Sequence, residues 1–139
     1  MFEHGMLAPL LALIGWTFVM WFWMYATRIP AIQKANVDMA ELSRTGAPLV
    51  LPPEVARVAD NYNHLHEQPT LFYALAIAAQ LAGAADPLNV GLAWAYVATR
   101  IAHSFIQATA NVIPVRFAVF TFGSLLLMAL LVRTAREIA

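Results

Sequence analysis

Long apolar stretches with almost no charge constrain this fold more than any other feature of the sequence. The first covers residues 6–27, and three more fill 70–85, most of 88–111, and 115–132. A hydrocarbon core about 30 Å thick needs roughly 20 apolar residues in each crossing helix. Hydrophobic residues make up 61% of the 139 and charged residues only 12%, whereas a soluble domain is about a quarter charged. The sequence therefore predicts an all-α integral membrane protein, a single domain over residues 1–139 with four transmembrane helices.

Composition also excludes several classes of protein. The formal net charge is zero and the chain has no long basic tail, so no nucleic-acid partner is expected. The absence of cysteine excludes a disulfide framework, a thiolate metal site and a cysteine nucleophile. The first apolar stretch lacks a basic flank and is bulky and aromatic where a signal peptide would have small residues. We therefore expect it to be a retained helix in contact with membrane lipid.

Helix-breaking residues separate the predicted helices. The polar stretch 29–53 contains four prolines and a glycine and favours a surface loop. Pro69 is expected to kink the second helix, Asp86-Pro87 to form a turn, and Pro114 to end the third helix. We predict the helices at about 6–28, 54–85, 88–111 and 115–135.

The basic residues near the predicted helix ends lie mainly on one side of the bundle. The first loop holds Arg28, Lys34, Arg44 and Arg57, the third Arg116, and the opposite side Arg133 and Arg136. Cytoplasmic loops of membrane proteins carry an excess of Lys and Arg. We therefore expect a bacterial inner-membrane protein whose first and third loops are cytoplasmic and whose two termini are periplasmic.

Polar side chains form one stripe on the second predicted helix and another on the third. Helical positions three and four apart share a face. The stripes consist of Arg57, Asp60, Asn61, His64, Glu67 and Gln68, and of Tyr96, Arg100, His103, Ser104, Gln107 and Asn111. The first stripe begins its helix and the second ends its helix, so an antiparallel pair brings both to the cytoplasmic face beside Arg28 and Arg116.

These stripes have two interpretations. An ionisable group inside a membrane is costly unless it faces a partner or water. A Glu67–Arg100 ion pair, with His103 bonded to a backbone carbonyl, would satisfy those groups and serve only helix packing. However, the other arginines of this region supply more positive charge than the nearby carboxylates cancel. That excess favours a pocket for an anionic ligand that carries a carboxylate or a thiolate.

A metal site is the competing interpretation, because His64, His66, Glu67 and His103 are residue types that bind zinc or iron. His64 and His66 are two positions apart on a helix and project to different faces. At most three of the four side chains could converge, so we expect no bound metal. The aromatic residues of the first helix are expected to face lipid or the membrane interface.

Three segments resemble the signature of the MAPEG family, in its bacterial branch. They are 63–72 (NHLHEQPTLF), 100–104 (RIAHS) and 114–116 (PVR). The family includes microsomal glutathione transferases and the prostaglandin E and leukotriene C4 synthases. The similarity covers about residues 54–135 and, by layout, the first helix. It implies a four-helix homotrimer that binds glutathione between subunits near the cytoplasmic side.

The resemblance also implies roles for individual residues. Arg116 falls at the family position beside the glutathione sulfur, where a guanidinium would lower the pKa of the thiol and favour the nucleophilic thiolate. Glu67 would accept a hydrogen bond from the glutathione amino group, and Arg28 and Arg100 would hold carboxylates or order the site. Arg116 is therefore the predicted catalytic residue. The predicted glutathione-binding residues are Arg28, Arg57, His64, Glu67, Arg100, His103 and Gln107.

The chain departs from the family at several of these positions. The family usually has asparagine where this chain has His64, and a hydroxyl residue follows the catalytic arginine where this chain has Phe117. The eicosanoid enzymes of the family have tyrosines where this chain has Gln107 and Phe120. These differences argue against an eicosanoid synthase. They leave a glutathione-dependent transferase or peroxidase for small hydrophobic electrophiles, an enzyme that uses another thiol, and a non-catalytic ligand-binding or structural member. A channel is disfavoured because the polar stripes occupy only one end of the bundle.

Overall fold

The computed structural model describes residues 4–36 and 38–139, and all the regular elements in these ranges are helices. Residues 1–3 and Val37, which the predicted domain includes, lie outside the described residues. In chain order the helices are α1 (Leu7–Ala35), α2 (Met39–Thr45), α3 (Pro53–His64), α4 (Gln68–Leu81), α5 (Pro87–Ala108) and α6 (Ile113–Ile138). The all-helical prediction is confirmed, and α1 and α6 are long and apolar enough to cross a membrane.

Most of the stretch that was expected to be a loop is helical. The first helix continues through Pro30 to Ala35 and ends where Asn36 adopts a left-handed backbone (φ 53°) and donates its N–H to the Gln33 carbonyl. Proline removes one helical hydrogen bond, but the residues after Pro30 are mainly good helix formers, so the helix continues. Asp38 then caps α2 by accepting from the Glu41 N–H at 3.1 Å. The proline content of residues 29–53 therefore predicted a longer loop than the structure has.

The second predicted helix is divided into α3 and α4. The division falls at 65–67, immediately before Pro69, which lies in the first turn of α4. A proline there loses no helical bond, because the first N–H groups of a helix have no intrahelical acceptor. The Glu67 N–H closes the intervening turn by donating to the His64 carbonyl at 3.1 Å. The expected kink is thus a break, and it sets the position of Glu67 relative to His64.

Polar groups at the α4–α5 turn satisfy one another, and we name this set (Ala84, Asp86, Asn89 and Arg133) the closed end of the bundle. The Asp86 side chain caps α5 by accepting from the Asn89 N–H at 2.8 Å. Arg133 of α6 pairs with Asp86 at 3.2 Å and donates to the Asn89 side-chain oxygen. The Asn89 amide donates in turn to the Ala84 carbonyl at 2.7 Å. This network fixes α6 against the turn.

The apolar core lies between α1, the α3–α4 pair, and α5. Leu13 and Met20 of α1 are fully buried, as are Phe72 of α4 and Tyr96 of α5, whose rings stack with centroids 4.8 Å apart. Trp16 belongs to the same face of α1, because its indole N–H donates to the Ser104 hydroxyl at 2.9 Å. The expectation that the α1 aromatics all face lipid or the interface is therefore wrong for Trp16. Its helical spacing from Leu13 and Met20 was the available signal.

Candidate functional site

A cavity of about 240 Å³ opens where α3 ends, α5 approaches its last turn and α6 begins. It brings together four of the predicted site residues, one from α3, two from α5 and one from α6. Its lining consists of His64, His103, Gln107, Ile113, Arg116, Phe117 and Phe120. Among the described residues, the cavity lining therefore combines imidazole, amide and guanidinium groups with aromatic and aliphatic groups and includes no carboxylate.

Two histidines from different helices form part of the wall. The rings of His64 and His103 stack with centroids 4.8 Å apart and planes inclined by 26°. His64 Nε2 and His103 Nδ1 are both buried and have no hydrogen-bond partner among the described residues. A buried polar atom without a partner is costly, so these two nitrogens are candidates for bonding a ligand or a bound water.

Arg100 lies one turn from His103 on α5 and carries a buried charge. Its side chain is 1% exposed, and none of its three guanidinium nitrogens has a hydrogen-bond partner in the described part of the chain. The guanidinium carbon lies 5.8 Å from the centre of the Phe120 ring, a cation–π contact. A buried charge without a counter-ion is strongly unfavourable, so an anionic group beside Arg100 would offset that cost.

Glu67 does not neutralise Arg100. Its carboxylate lies 3.4 Å from His64 Nδ1, and its side chain is 67% exposed. The ion pair that would have made the stripes purely structural is therefore not formed within the described ranges, and neither is the expected bond from His103 Nδ1 to a backbone carbonyl. Glu67 instead lies beside His64 near the cavity, where it can accept from a cationic ligand group.

Arg116 enters the cavity from the first turn of α6. One of its terminal nitrogens, Nη1, donates to the Asn111 side-chain oxygen at 2.7 Å. The guanidinium is thus held by a neutral amide, and it keeps its full positive charge and its remaining N–H groups for a ligand.

Two predicted binding residues lie away from this cavity. Arg57 of α3 donates from Nη1 to the Thr109 carbonyl at 2.9 Å, which ties the start of α3 to the end of α5. Arg28 of α1 is half-buried and does not line the cavity. Within one chain, Arg28 and Arg57 therefore do not line the cavity, whereas Glu67 and Arg100 contact residues that do. The predicted residues in the lining itself are His64, His103, Gln107 and Arg116.

Two further polar side chains of the predicted stripes contain buried atoms. Asn61, one turn before His64, is fully buried and neither atom of its side-chain amide has a partner within the described ranges. The Gln107 side-chain oxygen is also buried and unpaired there. The sequence placed both in the polar stripes. It missed Ile113, because nothing in the sequence distinguishes this aliphatic residue from the other apolar residues of α6.

The chemistry available here is that of an anion site. No group of three or more His, Asp or Glu side chains in the described part of the chain lies close enough to hold a metal ion. The lining brings together one guanidinium, two imidazoles and one amide. The Arg100 guanidinium lies behind it, against the Phe120 ring, and the Glu67 carboxylate lies beside His64. Such a set can bind a ligand that combines anionic groups with amide or amine groups.

Comparison with known protein families identifies the family of this chain. The sequence model of the MAPEG family matches residues 6–136, nearly the whole chain. The chain belongs to the MAPEG family. No curated protein and no solved structure gives a significant match. The family match confirms the resemblance seen in the sequence and, together with the apolar helices α1 and α6, identifies an integral membrane protein.

Membership of the MAPEG family indicates a general ligand class but is compatible with more than one function. The family is associated in general with glutathione, and it includes both glutathione transferases and non-catalytic members. The features of this chain that bear on its activity are the position of Arg116 in the cavity wall and the buried Arg100, which is unpaired among the described residues.

Proposed function

We propose that this MAPEG protein is a membrane-bound, glutathione-dependent transferase or peroxidase in which Arg116 stabilises the glutathione thiolate. The observation that carries the proposal is the cationic cavity: Arg116 lies in its wall, is bonded to a neutral amide, and meets no carboxylate in the lining. A positive charge that is not neutralised favours the ionised form of a thiol beside it.

The remaining polar groups suit the rest of a glutathione molecule. Arg100 supplies a buried cation for a carboxylate, and Glu67 supplies an acceptor for the amino group. His64, His103 and Gln107 offer unpaired nitrogen or oxygen atoms to the peptide groups. Gln107 stands where the eicosanoid enzymes of the family have tyrosine, and His64 where the family usually has asparagine. Both side chains can still form hydrogen bonds.

The proposed reaction is attack of the thiolate sulfur on a small hydrophobic electrophile. A carbon–sulfur bond forms, and the displaced group leaves with its electron pair. With a hydroperoxide as the substrate, two glutathione molecules are oxidised to the disulfide while the peroxide is reduced to an alcohol and water. The apolar part of the cavity supports this substrate class, since Ile113 and Phe117 are 62% and 68% exposed at its margin and would meet lipid.

The proposal includes an oligomer, because one chain alone does not bring all the predicted binding residues to the cavity. We infer four membrane crossings, formed by α1, the α3–α4 pair, α5 and α6, in one domain of a bacterial inner membrane. Arg28 and Arg57 do not line the cavity of their own chain, and a homotrimer with glutathione between subunits gives them a ligand to contact. Native mass spectrometry of the detergent-solubilised protein measures the number of chains.

A non-catalytic ligand-binding member is the second candidate, and Phe117 favours it. This residue follows Arg116 and lines the cavity, but it has no hydroxyl group to donate to a thiolate. In such a protein the cavity would bind a thiol or another anionic ligand without lowering the pKa of the thiol.

The experiment that separates these candidates is the ultraviolet absorbance of the thiolate when glutathione is added to purified protein at neutral pH. We expect a thiolate signal in the wild type and a loss of about tenfold or more in Arg116→Ala, because the favourable charge is removed. Arg136→Ala is the matched control, since Arg136 is exposed on the same helix and lies about 30 Å further along it.

Each outcome identifies one candidate. A wild-type signal that Arg116→Ala loses and Arg136→Ala keeps supports the enzyme. Calorimetric binding of glutathione without a thiolate signal supports the non-catalytic member. Absence of both binding and signal rejects glutathione as the ligand.

A further inference from the structure

We propose that Asn111 is the positioning residue for Arg116, holding its guanidinium in the cavity while leaving its charge uncompensated. This inference rests on the proposed function and adds to it a residue to which the family resemblance assigned no role. The observation behind it is the bond of 2.7 Å from Arg116 Nη1 to Asn111 Oδ1.

The backbone of Asn111 is itself unusual. Its φ is 53°, in the left-handed region, which asparagine tolerates better than other residues with a side chain. Its N–H donates to the Ile106 carbonyl at 2.6 Å, so the residue closes the end of α5 in the manner of a helix C-cap. The same residue therefore ends α5 and bonds the first turn of α6, and its side chain has a fixed origin from which to hold Arg116.

The chemical identity of the side chain matters as much as its position. A carboxylate at this point would form an ion pair with Arg116 and cancel the charge that stabilises a thiolate. An amide oxygen orients the guanidinium through one N–H and leaves it cationic. Asparagine is the side chain that combines tolerance of the left-handed backbone with a neutral acceptor.

Two substitutions at Asn111 test separately the position of the Arg116 guanidinium and its uncompensated charge. Asn111→Asp keeps the size and the left-handed tolerance but adds a negative charge, and we expect the thiolate-to-thiol ratio of bound glutathione to fall about tenfold. Asn111→Gly keeps the backbone but removes the acceptor, and we expect that ratio to fall about fivefold, the equivalent of one hydrogen bond. The matched control is Asn36→Gly, because Asn36 has the same φ of 53°, ends α1 and is exposed.

A second readout follows Arg116 without any thiol. Phenylglyoxal modifies free guanidinium groups, and mass spectrometry of the digested protein gives the rate at Arg116. We expect modification about fivefold faster in Asn111→Gly than in the wild type, because the anchoring hydrogen bond is lost. Asn36→Gly should match the wild type in both measurements.

The outcomes distinguish failure of this inference from failure of the proposed function. A wild-type thiolate signal that is unchanged in both Asn111 variants overturns the positioning role and leaves the proposed function standing. Absence of the signal in the wild type rejects the proposed function and with it a role of Asn111 in thiol activation. An unchanged phenylglyoxal rate in Asn111→Gly overturns the anchoring of Arg116 in either case.

Discussion

Arg100 is a buried arginine whose guanidinium nitrogens have no hydrogen-bond partner in the described part of the chain, with a side chain that is 1% exposed. Its guanidinium carbon lies 5.8 Å from the centre of the Phe120 ring. A cation–π contact offsets only part of the cost of removing a guanidinium from water. The ligand-free protein therefore bears a cost in stability at this residue, and binding of an anion would recover it.

We predict that Arg100→Met stabilises the ligand-free protein and removes its response to glutathione. Replacing a buried charge with an apolar side chain of similar length contributes about 1–4 kcal/mol, which corresponds to a rise in Tm of roughly 3–10 °C. Thermal unfolding in detergent, with and without glutathione, measures both effects. The control Arg44→Met alters an exposed arginine paired with Glu41 and should change stability by less than about 1 kcal/mol. A large loss of stability in ligand-free Arg100→Met would mean that the guanidinium has a protein partner.

At the residue scale, the sequence predicted which side chains lie close together better than it predicted their hydrogen bonds and ion pairs. The spacing of His64 on α3 and of His103 and Gln107 on α5 predicted that they would face one region, and these residues line the cavity. The spacing could not show that Glu67 pairs with His64 and leaves Arg100 unpaired, because that choice depends on the break at 65–67. Nor could it show the left-handed backbone of Asn111.

At the scale of elements, the contact between α5 and α6 depends on a glycine. A Cβ added at Gly123 of α6 would lie 2.7 Å from the Thr99 hydroxyl oxygen of α5 and 3.8 Å from the Tyr96 ring. The Thr99 hydroxyl cannot turn away freely, because it donates to the Tyr96 carbonyl. The two helices can therefore approach this closely only where one of them lacks a side chain.

We predict that Gly123→Ala destabilises the bundle by about 1–3 kcal/mol, the usual range for overpacking. Adding Thr99→Ala should recover most of that loss, because the hydroxyl that meets the new methyl group is removed. Gly91→Ala is the matched control on α5, since a Cβ there has nothing within 4 Å, and it should stabilise by about 0.5–1 kcal/mol. Thermal melting followed by circular dichroism measures all four proteins. Equal losses in the single and double variants would show that Thr99 is not the obstacle.

The element boundaries were predictable where apolar pattern and helix-breaking residues agreed. Asp86-Pro87 predicted the turn before α5, whereas Pro69 predicted only a kink within one helix where the structure has a break between α3 and α4. The extension of α1 to Ala35 was not predicted, because Pro30 was taken as a stop and its tolerance depends on the helix formers that follow it.

At the scale of the whole molecule, the two ends of the bundle should lie on opposite sides of the membrane from each other. The proposed orientation rests on the basic residues at the end of α1, in α2 and in α3, together with Arg116 at the start of α6. The complete absence of cysteine makes this orientation easy to test, since any single introduced cysteine is a unique label.

We predict that Ala139→Cys reacts with a membrane-impermeant maleimide in spheroplasts whose inner membrane is intact. Ala47→Cys should react only after that membrane is permeabilised. Both residues are exposed, so a difference in labelling reports the side of the membrane and not burial. The cysteine-free parent chain controls for background. The reverse pattern would place the termini in the cytoplasm and contradict the basic-residue argument.

The closed end (Ala84, Asp86, Asn89 and Arg133) has a consequence for how the molecule moves. Its polar groups bond one another, whereas several buried polar atoms of the cavity lining, at the other end of α5, have no partner among the described residues. The helices should therefore separate locally at the cavity while the opposite turn holds, as low-stability regions do within otherwise stable folds. In deuterium-exchange measurements, the amides of residues 106–113 should exchange by such local opening and be slowed by a bound ligand. Those of residues 89–91 should exchange only with global unfolding. The α4–α5 turn would then stay fixed while the helices move apart at the mouth of the cavity.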